Sequence, residues 1–82
     1  MYYVYVLQSE AGEAYIGKTG DLRRRMREHN TGCNTSTRHA TWRLAYYEAY
    51  ANKADADRRE RRLKDDGRAR YQLMRRIRAS IS

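Results

Sequence analysis

From Tyr2 to Gln8 the chain reads Tyr-Tyr-Val-Tyr-Val-Leu-Gln, an unbroken aromatic and β-branched run that predicts a strand. Ser9 to Glu13 has turn composition around Gly12, and Ala14 to Lys18 resumes an extended pattern. Together these runs predict an antiparallel hairpin that brings Tyr5 near Tyr15. Thr19, Gly20 and Asp21 supply turn and N-cap chemistry for a short helix over Leu22 to His29, which Asn30 and Gly32 stop. Thr31 to Thr41 has no helical or strand period and reads as a surface loop, and Trp42 to Ala49 as a third strand. Asn52, with Asp55 three residues on, resembles a capping box built with the shorter acid, and opens a highly charged helix over Lys53 to Lys64 that Gly67 is expected to end. Beyond it, Leu73, Met74, Ile77 and Ile81 recur at helical spacing between Arg68 and about Ser80, beneath an arginine-laden outer face. The order β-β-α-β-α-α predicts a small α/β sandwich: a three-stranded, mostly antiparallel sheet flanked by three helices.

Length limits this picture to one domain over residues 1–82, because a second would leave neither half an interior to bury. The chain has eight Tyr and no Phe, so its core has to be aliphatic and phenolic, with hydroxyls that need partners. Eighteen Lys and Arg against ten acids give a net charge of +8, and the arginine excess favours bidentate phosphate recognition, so nucleic acid is the default partner. Ribosomal and membrane-surface proteins share such a charge, which selects no chemistry by itself. The single Cys33 forms no internal disulfide and fits a reducing cytoplasm. The longest apolar run, around Tyr2 to Leu7, is too short for a signal peptide or a membrane span.

Candidate chemistry comes from charges out of place on helical faces. In the first helix Leu22 and Met26 set an apolar stripe that Arg25 and His29 share, while Arg23, Arg24 and Arg27 point to solvent, where they attract phosphate without positional precision. An inward guanidinium needs an anion; it either snorkels past Leu22, pairs with an internal carboxylate, or serves a substrate phosphate. For His29 a helix-end dipole interaction is the plain reading. In the next helix Glu60 is the lone acid on the Ala56–Leu63 face, and two roles fit it: neutralising Arg25, or holding a metal. Mg²⁺ takes as few as one or two protein carboxylates when phosphate oxygens complete its shell. Tyr5 and Tyr15 each read as sheet packing when taken singly. Beside Arg25, Lys18 and a metal, a phenol with a free pKa of about 10 is expected to move toward phenolate and to accept a proton from water.

These residues resemble the GIY-YIG nuclease superfamily, most closely the small stand-alone domains related to UvrC-type excision-repair and Slx1-type junction-resolving modules. Tyr3-Val4-Tyr5 stands for the first motif and Tyr15-Ile16-Gly17 for the second, followed by Lys18-Thr19-Gly20-Asp21-Leu22-Arg23-Arg24-Arg25-Met26-Arg27-Glu28-His29-Asn30. Ala56 to Lys64 is similar to the family's helix carrying the metal-binding Glu. The resemblance implies that Tyr5 and Tyr15 are the motif tyrosines, Arg25 the catalytic arginine and Glu60 the Mg²⁺ ligand, with His29 and Lys18 in support. Gly17 would allow a close backbone approach. Two positions differ from the family pattern: Tyr3 stands where the first motif carries Gly, and no Asn follows Asn52.

What the resemblance implies is a DNA endonuclease or nickase, dependent on Mg²⁺ with Mn²⁺ as a substitute, acting on branched, damaged or distorted DNA in repair or recombination. DNA is expected over RNA, with no membrane partner, and specificity from a protein partner or a homodimer. Two other functions fit the charge: a non-catalytic nucleic-acid-binding module on the same fold, and a structural protein of a ribonucleoprotein. In the Thr31–Thr41 loop, Thr35, Ser36, Arg38 and His39 read either as solvated residues or as substrate contacts, with Arg38 joining Arg23, Arg24 and Arg27 as a DNA-binding candidate.

Overall fold

The computed structural model describes residues 1–31 and 41–81, with side chains through Arg78. The readings of Gly32, Cys33, Thr35, Ser36, Arg38 and His39, and of the Ile81 side chain, lie outside the described residues. The elements follow in the expected order: β1 (Tyr2–Ser9), β2 (Ala14–Thr19), α1 (Leu22–Asn30), β3 (Trp42–Tyr50), α2 (Lys53–Asp65) and α3 (Gly67–Ile81). The sheet order is β2-β1-β3 with both pairings antiparallel, so β1 is central and β2 and β3 are edges. Gly12 makes the β1–β2 turn by adopting φ +85°, a left-handed value that a side chain resists, and donates its N–H to the Ser9 carbonyl at 3.0 Å.

Because successive strand residues point to opposite faces, β1 sorts its side chains into two cores. Val4 and Val6, with Ile16 of β2, pack under Ala56 and Leu63 of α2 and Leu73 and Ile77 of α3. Tyr5 and Leu7, with Trp42 of β3, pack under Leu22 and Met26 of α1. The helices therefore cover both faces, α1 alone on one and α2 with α3 on the other. Each well-buried aliphatic side chain contributes about 1.5–3 kcal/mol, which is how a chain this small holds two layers of helix on three strands.

Side chains that compete for backbone donors set the helix ends. Asp21 accepts from Arg24 N at 3.0 Å to start α1, and Asn52 accepts from Ala54 N at 2.7 Å to start α2. Asp55 pairs with Arg58 on its own helix instead of closing a capping box. Gly67 does not end α2 but is the first residue of α3. Asp66 closes α2 through its backbone N–H to the Arg62 carbonyl, and its carboxylate accepts from Arg68 N and Ala69 N, so a new helix begins before any left-handed glycine is needed. At the far end of α1, Asn30 accepts from Trp42 N at 2.9 Å and fixes where β3 begins.

The α2–α3 face is tied to β3 by one carboxylate. Glu48, with a side chain 17% exposed, receives a two-pronged Arg59 guanidinium at 2.9 and 3.0 Å and the hydroxyls of Tyr46 and Tyr50. Burial pushes its carboxyl up, but the donors from Arg59, Tyr46 and Tyr50 outweigh that and leave it below the usual carboxylate range. Burial and the Glu48 charge together push the Tyr50 phenol up to about 12. Glu48→Ala should therefore lower unfolding free energy by about 2–4 kcal/mol, since it strands a partly buried guanidinium. Urea denaturation checks this, with Glu48→Gln expected to lose less.

Candidate active site

Pairing places Gly17 of β2 directly beside Tyr5 of β1. The Tyr5 ring lies across that glycine: a Cβ at position 17 would fall far inside van der Waals contact with the phenolic oxygen and ring carbon. Gly17 is thus required by close approach. The phenol so directed reaches toward the β2 edge, beneath α1.

Tyr5 is fully buried and His29, from the last turn of α1, is 1% exposed. The Tyr5 hydroxyl and His29 Nε2 are 2.9 Å apart, and the charge of the neighbouring Arg25 guanidinium acts on the phenol. Desolvation lowers the imidazole's pKa below its ordinary value, with the neighbouring Arg25 charge adding to the effect, so His29 is neutral near pH 7. The phenol and Nε2 share one hydrogen bond, whose sense the imidazole tautomer sets. Burial also raises the Tyr5 pKa, against the lowering expected from its cationic neighbours; Arg25 offsets only part of the desolvation. At rest Tyr5 is therefore a neutral phenol. Arg25 stays charged, held by Glu28 Oε1 at 3.0 Å. Tyr15, half-buried, closes the group, its ring 4.9 Å from His29 and 6.4 Å from Tyr5.

Five of the residues singled out by sequence thus come together on the α1 face: Tyr5, Tyr15, Gly17, Arg25 and His29. Lys18 does not join them. It pairs with Val4 in the ladder, faces α2, and forms an ion pair with Asp57, which raises the Lys18 pKa. Glu60 is also on α2, with a side chain 21% exposed and Lys64 at 3.3 Å, so it does not neutralise Arg25. Its charge adds weakly to the rise in the Tyr5 and Lys18 pKa values, behind burial for Tyr5 and behind Asp57 for Lys18. Arg23, Arg24 and Arg27 are exposed and form no ion pair among the described residues, while Arg38 lies outside those residues. Sequence reasoning missed Glu28 and Asp57, although a helical spacing of three from Arg25 and Glu60 respectively marks both. It also missed Tyr47, the ladder partner of Tyr5 on β3.

A buried phenol hydrogen-bonded to a neutral imidazole, with a partly exposed guanidinium on the same helix, is an arrangement for handling an anion and a proton together. A family model described as the GIY-YIG catalytic domain matches residues 1–72, and the chain belongs to that family. Its members are nucleases that generally depend on a divalent metal. Among relatives, a UPF0213 protein of Halobacterium salinarum is 38% identical over 76 residues, covering 90% of this chain and 99% of that protein. A UPF0213 protein of Clostridium perfringens is 39% identical over 62 residues, 73% of this chain and 67% of that protein. The solution NMR structure of a UPF0213 protein from Bacillus halodurans superposes with a TM-score of 0.58 at 32% identity, covering 90% of this chain and 83% of that chain. No helix among the described residues is long and apolar enough to cross a membrane.

Gly17→Ala should push the Tyr5 phenol off its His29 bond and destabilise the fold by about 1–3 kcal/mol, read as a lowered urea midpoint. His29 itself makes stability depend on pH. Its folded pKa is below the unfolded value of about 6.5, so over that window the unfolded chain binds the extra proton. The His29 contribution is complete above pH 6.5 and lost as pH falls through the folded pKa. Urea midpoints measured across this range should fall on acidification, and His29→Gln should flatten that part of the curve.

Proposed function

We propose that this chain is a metal-dependent DNA endonuclease or nickase that hydrolyses phosphodiester bonds on branched, damaged or distorted DNA in repair or recombination, working in the cytoplasm. The observation that carries this reading is the buried Tyr5 phenol bonded to His29 Nε2 at 2.9 Å, on the helix that also presents the one-third-exposed Arg25 guanidinium.

Arg25 is the phosphate-recruiting group. Its guanidinium is one-third exposed, and a substrate phosphate competes with Glu28 for its donors. As a water attacks phosphorus, Tyr5 takes its proton and passes its own to His29 Nε2, which is neutral and already bonded to it. The bond to the 3′ oxygen breaks, leaving a 5′-phosphate. Tyr15, at the rim, orients the attacking water or phosphate. Lys18, kept on the α2 side by Asp57, contributes positive charge at the sheet edge rather than a direct contact.

Among the described residues no three potential ligands cluster, so Glu60 is the residue that would hold a cation. One hard oxygen donor, partly exposed, fits Mg²⁺, or Mn²⁺ in its place, when waters and substrate phosphate supply the other ligands. Bound there, the cation supplies electrostatic stabilisation to the departing oxygen. Arg23, Arg24 and Arg27 supply salt-sensitive affinity for the DNA backbone.

The full burial of Tyr5 favours one other reading, a non-catalytic nucleic-acid-binding module. Supercoiled-plasmid nicking with Mg²⁺ separates the two. Glu60→Gln and Arg25→Ala should each reduce cleavage on the order of 100-fold or more while circular dichroism and most DNA affinity persist. Undiminished cleavage by both variants would sink the site assignment, and absence of cleavage by the wild type on plasmid, nicked, flapped and branched DNA leaves the binding module standing.

A further inference from the structure

On the opposite flank of α1 from the Tyr5–His29 pair lies a groove of about 780 Å³ between the helix and β3. Its wall toward β3 is aromatic and aliphatic: Tyr47, 53% exposed, Leu44, 37% exposed, and Tyr3, with Met26 contributed by α1. Tyr3 occupies the position where the family's first motif carries glycine. It packs edge to face on Tyr47, ring centroids 6.0 Å apart at 65°, and so holds that ring against free rotation. Arg23 and Arg27 line the groove one helical turn apart, and neither forms an ion pair among the described residues. The one acid there, Asp21, is engaged in capping α1.

We infer that this groove is a subsite for an unpaired base of the nucleic-acid strand, which stacks on Tyr47 while Arg23 and Arg27 hold the phosphates on either side of it. The inference rests on the proposed nuclease reading and names its substrate class. Charge complementarity selects a polyanion, and the fixed, half-exposed phenol ring selects a flat π-surface for that polyanion to offer. In a paired duplex the base faces are stacked and out of reach, so only an unpaired nucleotide presents one. Location completes the case. Tyr47 is the ladder partner of Tyr5 on the same sheet face, and adjacent strands run about 4.8 Å apart, so the stacked base belongs to a nucleotide near the scissile one. The preferred substrates are therefore single strands, flaps and gaps rather than fully paired DNA.

The test is binding in EDTA, where no turnover intervenes, so it stands whether or not the chain cleaves. A fluorescein-labelled single strand of mixed sequence and the blunt duplex of the same sequence are titrated by anisotropy. The wild type should bind the single strand more tightly. Tyr47→Ala should weaken single-strand binding on the order of 10- to 100-fold with duplex binding almost unchanged, and Tyr47→Phe should restore it. Arg23→Ala with Arg27→Ala should weaken single-strand binding and flatten its salt dependence. Equal affinity of the wild type for both probes, or equal losses on both for Tyr47→Ala, overturns the subsite. So does a wild-type dimer in sedimentation that Tyr47→Ala dissociates, because a second copy then occupies the groove. Loss of plasmid nicking in Glu60→Gln with the Tyr47 effect intact leaves both readings standing; an intact Tyr47 effect in a chain that never cleaves leaves the subsite alone.

Discussion

Everything at the candidate site follows from one buried phenol crossing one glycine. The Tyr5 hydroxyl has no solvent to satisfy it, so leaving it unpaired would cost about 1–3 kcal/mol. His29 is its hydrogen-bond partner and Arg25 its cationic neighbour, and both come from α1. The helix must therefore lie over the central strand at a fixed rotation, with Leu22 and Met26 packed on the same aromatic core to hold it there. Gly17 on the edge strand is the other half of the condition, since the ring has nowhere to lie if position 17 carries a side chain. Antiparallel pairing of Tyr5 with Gly17 is what brings the two motifs into register.

Charge is partitioned in the same economical way. The acids of β3 and all but Asp65 of α2 are matched locally: Glu48 with Arg59, Asp57 with Lys18, Asp55 with Arg58, Glu60 with Lys64. Of the four arginines on α1, only Arg25 has a carboxylate partner among the described residues. The exposed pairs on α2 contribute little to stability, about 0–1 kcal/mol each. Their larger effect is on the field: they offset most of the charge of α2 and leave the other arginines of α1 and those of α3 uncompensated. The net +8 is thus carried mainly on two faces of the sheet, by Arg23, Arg24 and Arg27 of α1 beside the candidate site and by Arg68, Arg70, Arg75, Arg76 and Arg78 of α3, a helix with no acid.

All six elements, to within two residues, were readable from the sequence, because strand runs with aromatic and β-branched residues, capped helices and turn residues all pointed to the same answer. The boundary at Gly67 was not, since a glycine after a charged helix reads as a stop unless the preceding Asp66 is recognised as the cap of the next helix. At the site, helical faces correctly separated Arg25 and His29 from Arg23, Arg24 and Arg27. They could not separate Lys18 from the tyrosines, because that depends on the strand register that turns Lys18 to the α2 face. Nor could residue types give the sign of the Tyr5 shift. Desolvation against guanidinium attraction is a contest of burial depths, and burial is a property of the assembled fold.

That placement makes the site a bipartite one. The phenol, imidazole and guanidinium lie on the α1 side of the sheet, while the Glu60 carboxylate is carried by α2, the helix that packs on the other side. No described side chain bridges Arg25 to Glu60; each has a neighbour on its own helix instead. Among the described residues neither half completes the other through protein contacts: the Tyr5 phenol is buried and neutral, and Arg25 and Glu60 are each held by a partner one turn away on the same helix.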